Sequence, residues 1–169
     1  MRPTFLSFVC VAALGATAAT ADVTVTFRDG APKDRFTITQ TGACATGPVV
    51  LKIDVGTAPT GLIFDTTDTG AGVDVFQPFE WVSAPSNTAT VPQVGDGDTT
   101  LELSLPDLKP DVPLVFTIDL DDTTSTRQIT VSGSEIAGAQ VSLMVGTVTS
   151  TGIFDAKGKA VIATSACRS

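Results

Sequence analysis

The sequence contains no histidine and no tyrosine, and only one tryptophan, two methionines and three cysteines. Without an imidazole to take and return a proton, Ser-His-Asp and Cys-His catalysis are excluded. A zinc centre is poorly served too, because its usual four ligands come largely from histidine and cysteine. Cations are scarce: 10 Lys and Arg face 18 Asp and Glu, for a net charge of −8. Such a balance argues against nucleic acid and anionic lipid, and for solubility or cation binding. Beyond the first twenty residues no segment is apolar or long enough for a bilayer span of about 20 residues, so no membrane anchor is expected.

The chain opens MRPTFLSFVCVAALGATAATADVTV. One Arg, an apolar run from Phe5 to about Leu14, and small residues ending Ala19-Thr20-Ala21 make the pattern of a secretory signal. Cleavage is expected before Asp22, making residues 1–21 a leader and 22–169 a single domain. That leaves 148 residues, and loss of Arg2 moves the balance to 9 basic against 18 acidic. A domain of this size buries about 70% of its unfolded surface and can build a core unaided. The protein is expected to be secreted or periplasmic. Cys10 leaves with the leader, and Cys44 and Cys167 remain. In an exported chain this pair reads as a disulfide; two free thiols are the alternative.

Alternation with period two dominates the rest. Val23, Val25 and Phe27 alternate with threonines, as do Phe36 and Ile38. Leu51, Ile53 and Val55 come next, then Leu101, Leu103 and Leu105, then Leu114, Phe116, Ile118 and Leu120. Runs rich in Val, Ile, Thr and Phe with this period are half-buried strands. The 15 glycines and 10 prolines fall mainly between them, where turns need them. EIAGAQVSLMVG, residues 135–146, reads as another strand from Val141, Leu143 and Val145. Nine or ten short strands predict an antiparallel β-sandwich, Ig-like or fibronectin-like, with a jelly roll as the alternative. In LELSLPDLKPDVPLVFTIDL, Leu108 lies mid-connection and is expected to plug the core where the chain crosses between sheets. Phe36, Ile38, Leu103, Leu105, Leu108, Phe116 and Ile118 are expected inside, with Thr117, Asp119 and Asp121 outside.

Acidic residues offer the remaining chemistry. Asp119, Asp121 and Asp122 gather in FTIDLDDTTSTR, and Asp96 and Asp98 in VGDGDTT. Calcium takes six to eight oxygen ligands from such loop ends. If the two flanking strands pair, these groups lie at opposite ends and form separate clusters. The alternative is that an acidic protein simply puts aspartates in its turns. TGAGVDVFQ resembles one copy of a calcium-binding nonapeptide, but such sites form between stacked copies. Gly70 and Gly72 are therefore expected in a tight turn before a strand. A glycosidase-type carboxylate pair could draw on Glu80, Glu102 or Glu135, each at a solvated strand position. Phe79 and Trp81 share a strand parity, which favours a core location over a sugar-stacking platform.

The blocks DRFTITQTGACATGPVVLKIDV, GLIFDTTDTGAGVDVFQPFEWV, LVFTIDLDDT and ITVSGSEIAGAQVSL succeed one another through most of the chain. In this order they resemble small exported bacterial proteins called aggregation factor core proteins. The name derives from animal proteoglycan complexes that mediate calcium-dependent cell adhesion. The resemblance implies an adhesive or matrix role, and carries no catalytic or ligand residues with it. Residues and resemblance together lead to the expectation of a non-catalytic binding or adhesion module that engages a protein or polysaccharide at the cell surface. No cofactor is required for this, and calcium is an optional ligand. The alternatives are a secreted polysaccharide-acting enzyme with paired carboxylates, and a structural envelope protein with no small ligand.

Overall fold

In ADVTVTFR the valines and Phe27 point one way and the threonines the other, and the partner strand DRFTITQT repeats the pattern in reverse. Their pairing as the first hairpin sets Phe27 opposite Phe36 and Val25 opposite Ile38, so both apolar faces fall on one side. A computed structural model of the chain describes residues 21–42, 47–72, 75–84, 90–124 and 131–164. Among them are ten strands: β1 Ala21–Arg28, β2 Asp34–Thr41, β3 Val49–Asp54, β4 Leu62–Asp65 and β5 Glu80–Ser83. The others are β6 Thr100–Leu105, β7 Leu114–Asp122, β8 Gln140–Val145, β9 Val148–Ile153 and β10 Lys159–Thr164.

The strands form two antiparallel sheets packed face to face, a β-sandwich. One sheet runs β10-β1-β2-β7-β4, with β5 also on β7; the other runs β6-β3-β8-β9. The core between them holds Phe36, Ile38, Leu51, Ile53, Leu101, Leu103, Phe116 and Ile118, all essentially inaccessible. Rings concentrate around Phe116, which stacks on Phe36 at 5.0 Å and on Phe79 at 4.9 Å. Offset ring pairs of this kind add about 0.5–1.5 kcal/mol each beyond the area they bury. Trp81 is half-buried at the edge of this group, edge-on to Phe79 and Phe116, and its Nε1 donates to the Thr90 carbonyl.

Leu108 lies where its spacing predicts. Residues 106–113 cross from β6 in one sheet to β7 in the other, and Leu108 is buried along the way. The strand expected over 135–146 is shorter. Residues 135–139 form a turn closed by Ala139 N–H on the Ile136 carbonyl, and β8 begins only at Gln140.

One edge of β7 carries two short strands. β4 pairs Leu62–Asp65 with Asp122–Asp119, and β5 pairs Glu80 and Trp81 with Thr117 and Phe116. The two strands thus lie end to end along β7. Between them the chain leaves the sheet after Asp65 and is closed at its base by Gln77. The Gln77 N–H donates to the Asp65 carbonyl at 3.3 Å, and its carbonyl accepts from Asp119 N–H at 3.1 Å.

Candidate functional site

On β7 the inward residues Leu114, Phe116, Ile118 and Leu120 are buried as the alternation requires. The outward residues are not wet, which corrects the expected exposure of Thr117, Asp119 and Asp121. They are 5%, 7% and 2% accessible, and Asp122 is 2%. The physical cause is that β7 is an interior strand with neighbours on both edges. It has β2 on one edge and β4 and β5 on the other, Asp65 and Asp34 lie beside Asp121 and Asp119, and the excursion after Asp65 rests on the Asp65 carboxylate through Gly72. Gly72 rests on the Asp65 carboxylate so closely that a Cβ there would stand 2.1 Å from Asp65 Cγ. Gly70 rests on Asp96 in the same way, with a Cβ position 1.7 Å from Oδ2. The two glycines are needed for backbone-on-carboxylate contact, rather than for a turn opening a strand.

Asp65 sits directly opposite Asp119 and is fully buried. Motif and spacing did not single it out. A signal was present: Leu62, Ile63 and Phe64 are consecutive apolar residues, the sign of a strand covered on both faces. An acid ending such a run is buried with it. Asp65 also joins the two aspartate groups that were expected to be separate. β6 and β7 lie in opposite sheets, so the pairing assumed for them does not occur. Instead, the segment before β6 hydrogen-bonds to β4, through Phe64 N–H on the Asp98 carbonyl and Gly97 N–H on the Phe64 carbonyl. That places Asp96 against Asp65, and Asp65 in turn meets Asp121.

The bonding pattern explains how so many acids pack together. Asp96 Oδ1 accepts from the backbone N–H of Thr66 at 2.9 Å and of Thr67 at 3.2 Å, and Oδ2 from Ala71 N–H at 2.7 Å. Partial burial pushes Asp96 upward, but these donors and the Asp65 side chain outweigh it and hold its pKa below the usual range. Asp65 goes the other way. Burial first, then its bonds to the Asp96 and Asp121 carboxylates and their charges, raise its pKa to about 7. Asp65 is therefore the protonated partner, donating to the ionised Asp96. Burial and the neighbouring charge of Asp121 raise Asp119 to about 7 as well, although a backbone bond from Leu120 opposes them.

A fifth acid, Asp34, heads β2 and is 1% accessible. Its Oδ2 accepts from Leu120 N–H at 3.2 Å and its Oδ1 from Gly30 N–H at 3.1 Å. β2 stops here, so the carboxylate takes the Leu120 donor that the ladder would otherwise leave open. Burial, with the charges of Asp119 and Asp29 opposed by those two bonds, raises its pKa to about 8.

Calcium would need six to eight oxygens converging on one point. Among the described residues no group of three or more acidic side chains is disposed to hold a metal ion. Both oxygens of Asp34 and of Asp96 already face backbone donors, and Asp98 Oδ2 closes its own turn on Gly95 N–H at 2.6 Å. The cluster as folded does not fit the cation. Asp122 accepts from Thr124 N–H at 2.9 Å and so caps the turn after β7.

The three glutamates stand apart on β5, β6 and the turn before β8. Glu80 is exposed and paired with Lys33; Glu102 is exposed and opposite Lys52 in the sheet. Glu135 Oε2 accepts from Ser132 N–H at 2.6 Å. Two open concavities stand out on the surface. One, of about 540 Å³, is lined by Pro48, Val50, Leu105, Pro106 and Met144 among others, with no ionisable group. The other, of about 530 Å³, gathers Arg28, Arg35 and Lys157 with Asp29. Cys44 and Cys167 lie outside the described residues. No protein-family model and no curated protein matches the sequence.

Proposed function

We propose that the protein is an exported, non-catalytic binding or adhesion module that engages a protein or polysaccharide at the cell surface and requires no cofactor. One observation carries this. The buried carboxylates Asp34 and Asp65 and the partly buried Asp96 bond to backbone donors or to one another, and hold loops and strand ends together. Their task is structural. Glycoside hydrolysis instead needs two carboxyl groups facing a sugar across about 5–10 Å of open cleft. Neither concavity offers that pair, since one has no acid in its lining and the other only Asp29. The leader-like residues 1–21 and the acidic balance support an extracytoplasmic location.

Incubating the purified protein with surface polysaccharide is expected to give saturable retention and no release of reducing ends. Glu80→Gln, Glu102→Gln and Glu135→Gln are expected to retain as the parent does. Reducing-end release that disappears in one of these variants would establish the enzyme reading instead.

A further inference from the structure

Cations are few in this chain, yet three of the ten Lys and Arg line one concavity. Arg28 at the end of β1 and Arg35 on β2 are direct partners in the sheet register. Both carry the outward parity of Thr26 and Thr37, which line the same depression. Like charges directly opposite each other on neighbouring strands destabilise a sheet unless something neutralises them. Among the described residues neither arginine nor Lys157 forms an ion pair; the three pairs present use Lys33, Lys52 and Lys109. Asp29 is the single acid in the lining. Nearby Asp155 accepts from Lys157 N–H at 2.8 Å and Lys159 N–H at 3.0 Å and also attracts the charges of both lysines, so the two arginines are the cations that stand opposed.

The walls are fixed by backbone rather than by chance side-chain placement. Phe27 N–H donates to the Gly158 carbonyl at 2.7 Å, and Gly158 N–H to the Asp155 carbonyl at 3.0 Å. Gly158 has φ +69°, and a Cβ there would stand 2.7 Å from the Phe27 carbonyl oxygen, so the 155–158 turn lies flat on the end of β1. The Lys157 backbone packs beside Gly133, and both line the depression. Lys159 adds charge nearby, opposite Thr26 on β10.

We propose that this concavity is an oxyanion pocket, in which Arg28, Arg35 and Lys157 receive a carboxylate or sulfate group. The guanidinium fork matches both groups with paired N–H donors, and the lysine adds a point charge from the third side. The threonine hydroxyls beside the arginines suit the neighbouring hydroxyls of an acidic saccharide. The pocket gives the binding module a ligand class, and rests on that reading only where the anion is borne by a polymer.

The test is calorimetric titration of the purified protein at low ionic strength with sulfate, citrate and an oligogalacturonate. Saturable binding is expected, weakened about tenfold or more in Arg28→Ser and in Arg35→Ser, as loss of a charge-assisted bond implies. Lys52→Gln, on the other sheet, is expected to bind as the parent does. Both arginines are exposed, so the variants are expected to fold, and Arg35→Ser to melt higher than the parent in anion-free buffer. Tighter binding of the oligomer than of citrate or sulfate identifies a polymer as the ligand; equal binding identifies a free anion. No saturable binding, or undiminished affinity in both arginine variants, overturns the pocket. Retention on polysaccharide in that case keeps the module and moves its binding surface elsewhere.

Discussion

Asp65 and Asp119 stand directly opposite each other on β4 and β7, both buried, each with a pKa raised to about 7. An acid pair in that position is tolerable because protons stay bound near neutrality and because Asp96, alongside, takes the negative charge against three backbone donors. The cluster behaves as a clasp between β4, β7 and the segment leading into β6.

The clasp depends on Gly70 and Gly72. A methyl group at either position must displace a carboxylate that already has partners. Gly70→Ala and Gly72→Ala are each expected to destabilise the protein by about 1–3 kcal/mol, as overpacking does. Urea unfolding at pH 6 measures it. Gly146→Ala is a poor control because of its positive φ, whereas Ala163→Gly on β10 gives a baseline for an unrelated strand site.

At Asp34 the acceptor matters more than the charge. Asp34→Ala leaves the Leu120 N–H without its acceptor, at a cost of about 1–3 kcal/mol. Asp34→Asn keeps one acceptor oxygen and resembles the protonated acid, so it is expected to cost less at pH 6. Above pH 8 the parent carries a buried charge there and the Asn variant does not. The stability gap between Asn variant and parent should therefore narrow or reverse between pH 6 and pH 9 in parallel denaturant titrations.

Leu108 joins the two sheets. Leu108→Ala is expected to lose about 2–5 kcal/mol, the usual range for a buried leucine. A loss under about 1 kcal/mol in chemical denaturation would place the crossing segment outside the cooperative core.

For Cys44 and Cys167, thiol counting under denaturing conditions is expected to find no free thiol in protein from an oxidising compartment. Reduction should then lower stability by at most about 4–5 kcal/mol, the chain-entropy value for a loop of over a hundred residues. Two reactive thiols in unreduced protein would rule the bridge out.

The inward half of this fold was legible in the sequence. Alternation placed Phe36, Ile38, Leu103, Leu105, Phe116 and Ile118 inside, and its place midway along the connection between two alternating strands singled out Leu108. The outward half was not, because parity says which side a residue faces and nothing of what lies over that side. Asp119 and Asp121 face away from the core and are buried, with Asp34 of β2 beside one and Asp65 of β4 beside the other, interactions between distant parts of the chain. Asp65 and Asp96, about thirty residues apart, meet only because β4 borders β7 while the chain before β6 borders β4. Strand order decides this, and alternation does not encode strand order. The pairing of Arg28 with Arg35 is different. Once a tight hairpin is assumed, register follows from the alternating faces, so that contact was within reach of the sequence.

Asp65 bonds to the Asp96 and Asp121 carboxylates, and Asp34 and Asp96 take backbone N–H groups from neighbouring segments. Asp34, Asp65 and Asp119 have folded pKa values of about 8, 7 and 7 against 3.8 for the ordinary side chain. Their contribution is fully present below pH 3.8, where both states are protonated, and is lost as pH rises through about 7–8. In that interval the native state holds protons the unfolded chain has released. Stability then falls with rising pH by up to about 1.4 kcal/mol per pH unit for each fully linked group. Asp96, with its lowered pKa, acts in the opposite sense and loses its contribution as pH falls below 3.8.

Thermal unfolding from pH 5 to pH 9, with and without millimolar calcium, tests this most directly. A melting temperature that falls from pH 5 to about pH 8 and levels off above it is expected, with calcium restoring none of the loss and Asp121→Asn responding to calcium as the parent does. A flat pH profile, with a calcium-dependent rise that Asp121→Asn and Asp122→Asn abolish, would contradict the shared-proton clasp and establish a metal site.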